Sequence, residues 1–307
     1  MNTAHHQGAR RLEAALERAT GRAWRANALA SSGFCAVWRI DDGRDSAFLK
    51  SAGGAEGALL QAEVQGLRAL AATRTVRVPE VLWLHTDAES GLSLLGLEWL
   101  DLRPPAAGFG ARFGRVMAAL HAAAVPVLPG EARYGWPADN WLGATPQCNR
   151  PCRDWIDFFN CQRLGALCSR LRQAGSGCAA LCDGVDQVIA SWPALFDDGY
   201  APQPSLLHGD LWSGNWGMLA SGEPVVFDPA VYIGDAEAEL AMMDLFGGPP
   251  PAFWSAYAAA GRGLHPGYAR RRPVYQLYHL LNHALLFGGG YAAQAQSVAQ
   301  QVLRGLG

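Results

Sequence analysis

The sequence predicts an α+β fold with two lobes: a small first lobe built on an antiparallel sheet with one helix, and a larger, mostly helical second lobe. Two observations lead to this prediction. Short strand patterns separated by polar turns occupy the first hundred residues. After "LDLRPPAAGFG" (100–110) the chain changes to longer helical patterns. We therefore expect a first lobe over residues 1–100 and a second over residues 101–307.

The first lobe is predicted to begin with a helix at 9–19 and to contain a second helix near 55–72. The polar segment "DDGRD" separates two strand patterns as a hairpin requires. The predicted strands are "AVWRI" (36–40), "SAFLK" (46–50), "VPEVLWL" (78–84) and "LSLLGLE" (92–98).

Helical patterns dominate the predicted second lobe, and one hairpin, "WGMLASGEPVVFD" (216–228), interrupts them. The predicted helices are 110–124, 152–173, 179–196, 251–260 and 273–288.

Length and composition limit the class of function. A chain of 307 residues with 50% hydrophobic and 17% charged residues can build two lobes with cores. The formal net charge of −2 gives no electrostatic basis for binding nucleic acid or an anionic membrane. The start lacks the apolar segment of a secretory signal, and no apolar run approaches the ~18 residues of a membrane span. We expect a cytoplasmic protein, monomeric with a dimer left open, that acts on a small molecule or a protein side chain.

Six of the seven cysteines fall between residues 148 and 182. The C-x3-C pairs at both ends of this segment are compatible with zinc ligation. Cys161 and Cys168, however, lie seven apart in a predicted amphipathic helix, where free cysteine behaves as a small apolar residue. We favour buried or incidental thiols over a metal site.

A glutamate lies within the apolar stripe of the predicted helix "GALLQAEVQGLRAL" (57–70). At 100° per residue, Glu63 falls about 40° from Leu59, inside the apolar arc. Such a carboxylate is costly unless it is paired, although at the edge of the stripe it can extend to solvent. Lys50, the only lysine of the chain, ends the preceding strand pattern. In protein-kinase-like enzymes, a helix glutamate pairs with a strand lysine and so holds that lysine in place to bind the nucleotide phosphates.

The stretch "LLHGDLWSGN" (206–215) matches the next part of such an enzyme. Asp210 and Asn215 have the spacing of the kinase catalytic loop, and Asp228 ends the hairpin that follows. Phosphoryl transfer needs a residue that holds the acceptor hydroxyl, oxygen ligands for Mg²⁺ and a cation for the phosphates. A hydrolase triad of His208, Asp210 and Ser213 is disfavoured, because triad residues seldom lie so close in sequence and no G-x-S-x-G turn is present.

Together, "LLHGDLWSGNW" and "VVFDPAVYIGDAEAELAMMDLFGG" resemble the fructosamine kinase (ketosamine-3-kinase) family, which belongs to the aminoglycoside-phosphotransferase branch of the protein-kinase-like fold. The resemblance runs from about residue 12 to the C-terminus. It includes "FLK", "AEVQGLRAL", "VRVPEVL" and "LGLEWLDL" in the first lobe, and "YGWPADNWLGATPQ" and "LYHLLNHALLFGGGY" in the second. The resemblance implies an ATP- and Mg²⁺-dependent kinase for the sugar 3-hydroxyl of ketosamines, as free lysine adducts or on glycated proteins. The 3-phosphate is unstable, so the amine is freed.

The resemblance also implies roles for individual residues. Asp210 corresponds to the catalytic base, and Asn215 and Asp228 to the Mg²⁺ ligands. The implied nucleotide-binding residues are Lys50, Glu63, Gly33 and the hinge residues Glu98, Trp99 and Leu100. One departure is the glycine-rich first loop, here "LASSGFCAVWRI" (29–40), where only Gly33 remains and Cys35 is shifted. Weaker nucleotide affinity is the expected consequence.

The candidates on the substrate side are Trp212, Trp136, Asp139, Asn140, Asp235 and His283. We expect Trp212 to expose its ring to the sugar, because a catalytic loop borders the substrate, and we expect ribulose-lysine to be used at least as well as fructose-lysine. Core packing is the alternative for Trp136, and a hydrogen-bonded helix residue for His283. Two other functions stay open: a kinase of an aminoglycoside or choline-like alcohol, and a nucleotide-binding protein with weak or no catalysis.

Overall fold

A computed structural model describes residues 2–29, 35–175 and 177–306 of the chain. Its helices are α1 (Asn2–Thr20), α2 (Gly57–Ala72), α3 (Phe109–Ala122), α4 (Trp155–Phe159), α5 (Gly165–Gln173), α6 (Ala179–Ser191), α7 (Ala236–Leu245), α8 (Ala252–Tyr257), α9 (Tyr268–Phe287) and α10 (Gly290–Arg304). Its strands are β1 (Arg25–Ala28), β2 (Ala36–Asp41), β3 (Ser46–Gly53), β4 (Val81–Asp87), β5 (Leu92–Glu98), β6 (Leu102–Arg103), β7 (Asn140–Leu142), β8 (Thr145–Gln147), β9 (Pro204–Leu207), β10 (Trp216–Leu219), β11 (Pro224–Val226) and β12 (Tyr232–Asp235).

Five strands near the start of the chain form one antiparallel sheet in the order β1-β2-β3-β5-β4. The predicted strand at 78–84 instead begins at Val81, because Pro79 has no N–H to donate to a neighbouring strand. β3 runs on to Gly53, so Lys50 lies inside the sheet, opposite Leu95 of β5. A central strand therefore holds the backbone of the only lysine.

The chain divides into two compact units. The first comprises residues 1–104 together with 217–228, and the second comprises 105–216 together with 229–307. The boundary predicted at residue 100 assigned the hairpin 216–228 to the second lobe, whereas most of it belongs to the first unit. The reason is strand pairing: Met218 of β10 lies opposite Arg103 of β6.

One core cluster of the first unit lies between α1 and the sheet. Leu12 and Leu16 of α1 pack with Trp24, Ile40 and Leu49, and all five side chains are buried. Apolar residues three to four apart on a helix meet alternate residues of the strands, which is how an amphipathic helix covers one face of a sheet.

The second unit is mainly helical, with some boundaries that differ from the prediction. The predicted helix 152–173 consists of α4 and α5 joined by a π-helical turn at Asn160–Leu164. Two helices were not predicted. α7 is buried on nearly every side and lacks amphipathic contrast, and α10 is rich in alanine and glutamine. None of the helices in the described ranges combines the length and apolar character needed to cross a bilayer.

Candidate active site

The predicted ion pair between Lys50 and Glu63 is confirmed. Lys50 Nζ lies 2.8 Å from each carboxylate oxygen of Glu63, and the two side chains are only 7% and 11% exposed. β3 and α2 supply one partner each. The alternative, in which Glu63 extends to solvent at the edge of the apolar stripe, is therefore wrong.

Asp228 is the second partner of Lys50, within the same unit. Lys50 Nζ donates to Asp228 Oδ1 at 2.7 Å, while 47% of the Asp228 side chain is exposed. Burial alone would lower the pKa of Lys50, but the carboxylates of Asp228 and Glu63 outweigh it, so the pKa of Lys50 is raised and the amine stays charged. Asp228 has a φ of +60°, an uncommon backbone conformation for a residue with a side chain and one that concentrates at functional sites.

An apolar cavity of about 220 Å³ lies in the first unit. It is lined by Phe48, Pro79, Leu97, Glu98, Trp99, Leu100, Leu102, Phe227 and Asp228. All three predicted hinge residues are in this lining. The volume is below the ~300–1,000 Å³ typical of drug-sized ligands, and suits a single planar ring system. Gly33 of the predicted phosphate loop lies outside the described residues.

Glu98, one of the predicted hinge residues, lines this cavity and has its side chain held from outside it. Its carboxylate pairs with the guanidinium of Arg77 and accepts a hydrogen bond from the amide of Glu80 at 3.1 Å. Trp99 is held by the guanidinium of Arg39, which lies 4.8 Å from the ring centre. The edge of the cavity is thus fixed by residues that the sequence did not single out.

The glycine of "HGD" is required by the shape of the loop after β9. Gly209 has a φ of +85°, and a Cβ there would lie 2.1 Å from the carbonyl oxygen of Ala230. The Gly209 amide donates to Glu239 Oε1 at 2.8 Å, and Glu239 is in turn bonded to His121. The positive φ of Gly209, its close approach to the Ala230 carbonyl and its hydrogen bond to the buried Glu239 carboxylate therefore fix the backbone next to Asp210.

Asp210 and Asn215 are brought into direct contact in the second unit. Asn215 Nδ2 donates to the backbone carbonyl of Asp210 at 2.8 Å and to Asp210 Oδ2 at 3.2 Å. This fixes the orientation of the amide, so Asn215 Oδ1 points away from Asp210. Ser213, the candidate nucleophile of the triad alternative, donates its hydroxyl to the carbonyl of Phe246 at 2.7 Å. That hydrogen bond disfavours a serine hydrolase.

Trp212 has the exposure expected of a substrate contact, with 40% of the residue accessible. Its ring covers Gly214 closely, since a Cβ at Gly214 would lie 2.3 Å from ring atoms. The glycine therefore allows the indole to lie flat against the loop. Trp136, in contrast, is only 9% exposed and belongs to the core, as in the alternative interpretation.

The structure gives Asp139 and Asn140 internal partners. Asp139 Oδ1 accepts the amide of Asn149 at 2.7 Å. Asn140 donates to the carbonyl of Val231 at 2.8 Å and accepts from the amide groups of Gln147 and Asn149. These hydrogen bonds occupy the buried side chain of Asn140, which replaces the substrate contact expected for it, because buried polar groups are satisfied within the protein. Asp139 is exposed, and its substrate contact stays a prediction.

Asp235 is also a correction. The β9–β12 register pairs it with Pro204, whereas the loop predicted to be catalytic follows Leu207 at the opposite end of β9. Three residues of strand separate these ends, roughly 10 Å at about 3.4 Å per residue. The Asp235 carboxylate is fully buried, accepts hydrogen bonds from Tyr200 and Tyr275 at 2.6 Å each, and caps α7. Its role is structural.

One ring nitrogen of His283 is hydrogen-bonded within its own helix, α9. Its Nδ1 lies 2.8 Å from the carbonyl oxygen of His279, and since a carbonyl only accepts, Nδ1 carries the proton. Burial lowers the pKa of His283, which favours the neutral ring with Nε2 as an acceptor. The ring packs among Phe246, Phe287 and Tyr291, with centroid distances of 4.7 to 5.5 Å.

The cysteines of the second unit differ in exposure. Cys168 and Cys182 are buried, Cys161 is exposed, and the rest of the group is partly buried. The thiol of Cys182 lies 3.6 Å from the carbonyl oxygen of Cys168. Within residues 2–29, 35–175 and 177–306, no cluster of three or more Cys, His, Asp or Glu side chains has the arrangement of a metal site.

Comparison with known proteins adds an independent result. The family model described as fructosamine kinase matches residues 9–305. The chain is 43% identical over 277 residues to a protein named as a ketoamine kinase in Synechocystis sp., which covers 89% of this chain and 87% of that protein. It is 37% identical over 261 residues to a chloroplastic protein-ribulosamine 3-kinase of Oryza sativa, with 84% of this chain and 73% of that protein covered.

Solved structures give the fold. A crystal structure from Haemophilus somnus, described as a fructosamine-3-kinase, matches with a TM-score of 0.83 at 28% identity and covers 97% of this chain and 99% of that chain. An aminoglycoside phosphotransferase matches with a TM-score of 0.66 at 19% identity, covering 95% and 97%. The predicted α+β, bilobal protein-kinase-like fold is confirmed.

Proposed function

The chain belongs to the fructosamine kinase family, and we propose on that basis that it transfers the γ-phosphoryl group of ATP to the 3-hydroxyl of ketosamines. The observation that carries the proposal is the ion pair of Lys50 with Glu63 and Asp228, in a chain that also presents Asp210 and Asn215 in contact. Breakdown of the 3-phosphate frees the amine, so the overall effect is deglycation.

Lys50 is proposed to neutralise phosphate charge, with Glu63 holding its ammonium in place. The adenine ring would occupy the apolar cavity beside Glu98, Trp99 and Leu100. A buried, permanently charged amine suits this role because its interaction with a phosphate is weakly screened.

The residues present fit a Mg²⁺ ion in their donor atoms. Asn215 directs Nδ2 toward Asp210 and so keeps Oδ1 for a ligand, and Asp228 keeps Oδ2 because Lys50 takes Oδ1. Both are hard oxygen donors of the type Mg²⁺ prefers. When bound, Mg²⁺ neutralises charge that develops on the phosphate oxygens.

Asp210 is proposed as the catalytic base. Its carboxylate accepts the proton of the sugar 3-hydroxyl while that oxygen forms a bond to the γ-phosphorus, and the bond from phosphorus to the bridging oxygen of ADP breaks. Asn215 holds the Asp210 side chain through its Nδ2 contact. The carboxylate thereby keeps a fixed orientation toward the acceptor.

Trp212 and His283 are the proposed acceptor contacts. Trp212 offers an exposed apolar face to a sugar ring, and His283 Nε2 offers an acceptor to a hydroxyl or to the ammonium of the ketosamine. We propose the same order of preference as the sequence suggested, with ribulose-lysine used at least as well as fructose-lysine. One extra carbon changes binding by only ~1–3 kcal/mol, so both sugars are expected to be substrates.

A coupled assay of ADP release tests this function. Purified protein is assayed with ribulose-lysine, fructose-lysine, an aminoglycoside and choline, each with Mg²⁺-ATP. Turnover of the two ketosamines alone supports the proposal. Turnover of only the aminoglycoside or choline would refute ketosamines as the substrates but would still show that the protein is a kinase. We also propose a cytoplasmic enzyme, monomeric with a dimer left open, that acts on free or protein-bound lysine adducts.

A further inference from the structure

Arg163 is a buried cation that has no carboxylate partner among the described residues. The residue is 0% exposed and lies in the π-helical turn between α4 and α5. Its guanidinium is 4.2 Å from the ring centre of Tyr232 and 4.6 Å from that of Phe158. No carboxylate in the described part of the chain lies within 4.0 Å of it. A buried charge of this kind is costly, and π-helical turns are frequent at functional sites.

The guanidinium anchors a chain of buried amides. Arg163 donates to Asn149 Oδ1 at 2.7 Å, and Asn149 Nδ2 donates to Asn140 Oδ1 at 2.8 Å. Gln147 Nε2 also donates to Asn140 Oδ1, at 2.7 Å. Asn149, Asn140 and Gln147 are at most 6% exposed. Each amide has its donor and acceptor ends fixed by neighbours, so none of them can flip without breaking hydrogen bonds.

This relay ends on the backbone that fixes the catalytic loop. Gln147 Nε2 donates to the carbonyl of Ala230 at 3.2 Å, and the Ala230 amide donates to the carbonyl of His208 at 2.8 Å. The same Ala230 carbonyl is the atom that excludes a side chain at Gly209. A displacement of Gln147 is therefore transmitted to the backbone next to Asp210.

Tyr278 fixes the other end of Gln147. Its hydroxyl donates to Gln147 Oε1 at 2.5 Å. Burial, followed by lesser contributions that include the negative charge of Asp210, raises the pKa of Tyr278, which keeps the hydroxyl protonated as the donor. Tyr278 thus links α9 to the relay and lies within electrostatic reach of the catalytic carboxylate.

We infer that Arg163, Gln147 and Tyr278 are positioning residues for phosphoryl transfer: through the buried amide relay they set the place of the loop that carries Asp210. This inference rests on the proposed role of Asp210 as the base. It assigns the buried amides of Asn140, Gln147 and Asn149 to holding the catalytic loop.

A pair of matched tyrosine variants tests the inference. Tyr278→Phe removes one buried hydroxyl that bonds the relay. Tyr134→Phe removes one buried hydroxyl that bonds the carbonyl of Pro202 at 2.7 Å, outside the relay. We expect Tyr278→Phe to lower kcat roughly tenfold with KM for ATP unchanged, since small misplacement of a reacting group costs up to about 10²-fold. We expect Tyr134→Phe to keep the kcat of the unmodified enzyme while lowering Tm to a similar extent.

Arg163→Lys and Arg163→Met extend the test to the anchor. The lysine variant keeps the positive charge and one hydrogen bond. When kcat is calculated per folded molecule, Arg163→Lys should therefore retain a higher kcat than Arg163→Met. Equal kcat in Tyr278→Phe and Tyr134→Phe, or equal loss in both Arg163 variants, overturns the inference. Hydrogen exchange of residues 208–215 serves as a measurement independent of turnover. Faster exchange in Tyr278→Phe than in Tyr134→Phe is expected, and equal exchange overturns the positioning role. If the unsubstituted protein turns over no ketosamine, the proposed function is refuted, and this outcome is distinct from a failure of the positioning inference.

Discussion

Replacing Glu63 with glutamine isolates the contribution of the buried ion pair to nucleotide binding. Glutamine keeps the shape of the side chain and one oxygen acceptor, but it removes the charge that faces Lys50 at 2.8 Å. Lys50 then has Asp228 as its remaining carboxylate partner. We expect weaker Mg²⁺-ATP binding, because Lys50 is drawn toward Asp228 and is less well placed for a phosphate.

The magnitude follows from the burial of the pair. Both side chains are almost enclosed. A hydrogen bond to a charged group contributes about 1.5–3 kcal/mol, and the substitution weakens the bonds between Lys50 and Glu63 by an amount of that order. The upper end, ~3–5 kcal/mol for removing one partner of a buried pair, is not reached, because Asp228 still compensates the ammonium. A loss of about 1.4–2 kcal/mol in ATP affinity corresponds to roughly a 10- to 30-fold higher Kd.

The assay uses the single lysine of the chain. Calorimetry gives the Kd of Mg²⁺-ATP, and an amine-acylating reagent followed by mass spectrometry reports the reactivity of Lys50 without interference from other lysines. Glu63→Gln should bind ATP more weakly and should label faster, since Lys50 is less restrained. ATP should slow labelling in the natural chain.

The matched control is Glu56→Gln, the same change at an exposed position just before α2. It should leave both Kd and labelling unchanged. If Glu63→Gln bound ATP as tightly as Glu56→Gln, the ion pair would not organise the nucleotide site, and the role of Lys50 inferred from it would be wrong.

Four further predictions concern the second unit and the proposed metal ligand Asp228. Asp210→Asn should lower kcat by roughly 10²–10⁴-fold and retain ATP binding, because asparagine keeps the shape of the side chain but is not a base. Near-normal turnover of this variant would contradict the assignment of Asp210. Asp228→Ala should instead weaken Mg²⁺-ATP binding in calorimetry, because it removes a proposed metal ligand. Trp212→Ala should reduce ketosamine phosphorylation much more than background ATP hydrolysis, and equal reductions would argue against a sugar contact. Burial lowers the pKa of His279 to about 3, below the ~6.5 of an unfolded histidine, so its contribution to stability is present above pH ~6.5 and is lost as the pH falls. The loss is about 2 kcal/mol at pH 5, and urea unfolding at pH 5 and 7 should show a smaller difference in His279→Gln.

Much of the fold was predictable because its elements carry local patterns. The strands β2, β3 and β5 and helix α2 follow from alternating or helical placement of apolar residues beside polar turns. Local patterns did not reveal α7, which is buried on nearly all sides and has no polar face. They also did not reveal that residues 217–228 belong to the first unit, since a strand pairing between Met218 and Arg103 spans more than a hundred residues.

In the candidate site, too, the features that were predictable from the sequence are those that depend on local patterns. The sequence predicted the pairing of Lys50 with Glu63, because a carboxylate in an apolar stripe is costly without a cation and Lys50 ends the preceding strand pattern. It left open that Glu63 extends to solvent, and the buried ion pair decided between the two. By itself the sequence determined the Asp210–Asn215 spacing, which is fixed within one loop.

Only the tertiary structure decided which polar residues are internal. Asp235 is separated from the catalytic loop by strand register, and Asn140 is occupied by Gln147 and Asn149. Arg163 carries no local pattern that marks it, because its partners come from other segments of the chain. The physical reason is that a spacing within one element fixes which side chains share a face, whereas the partners of a buried polar group are chosen by packing between distant segments.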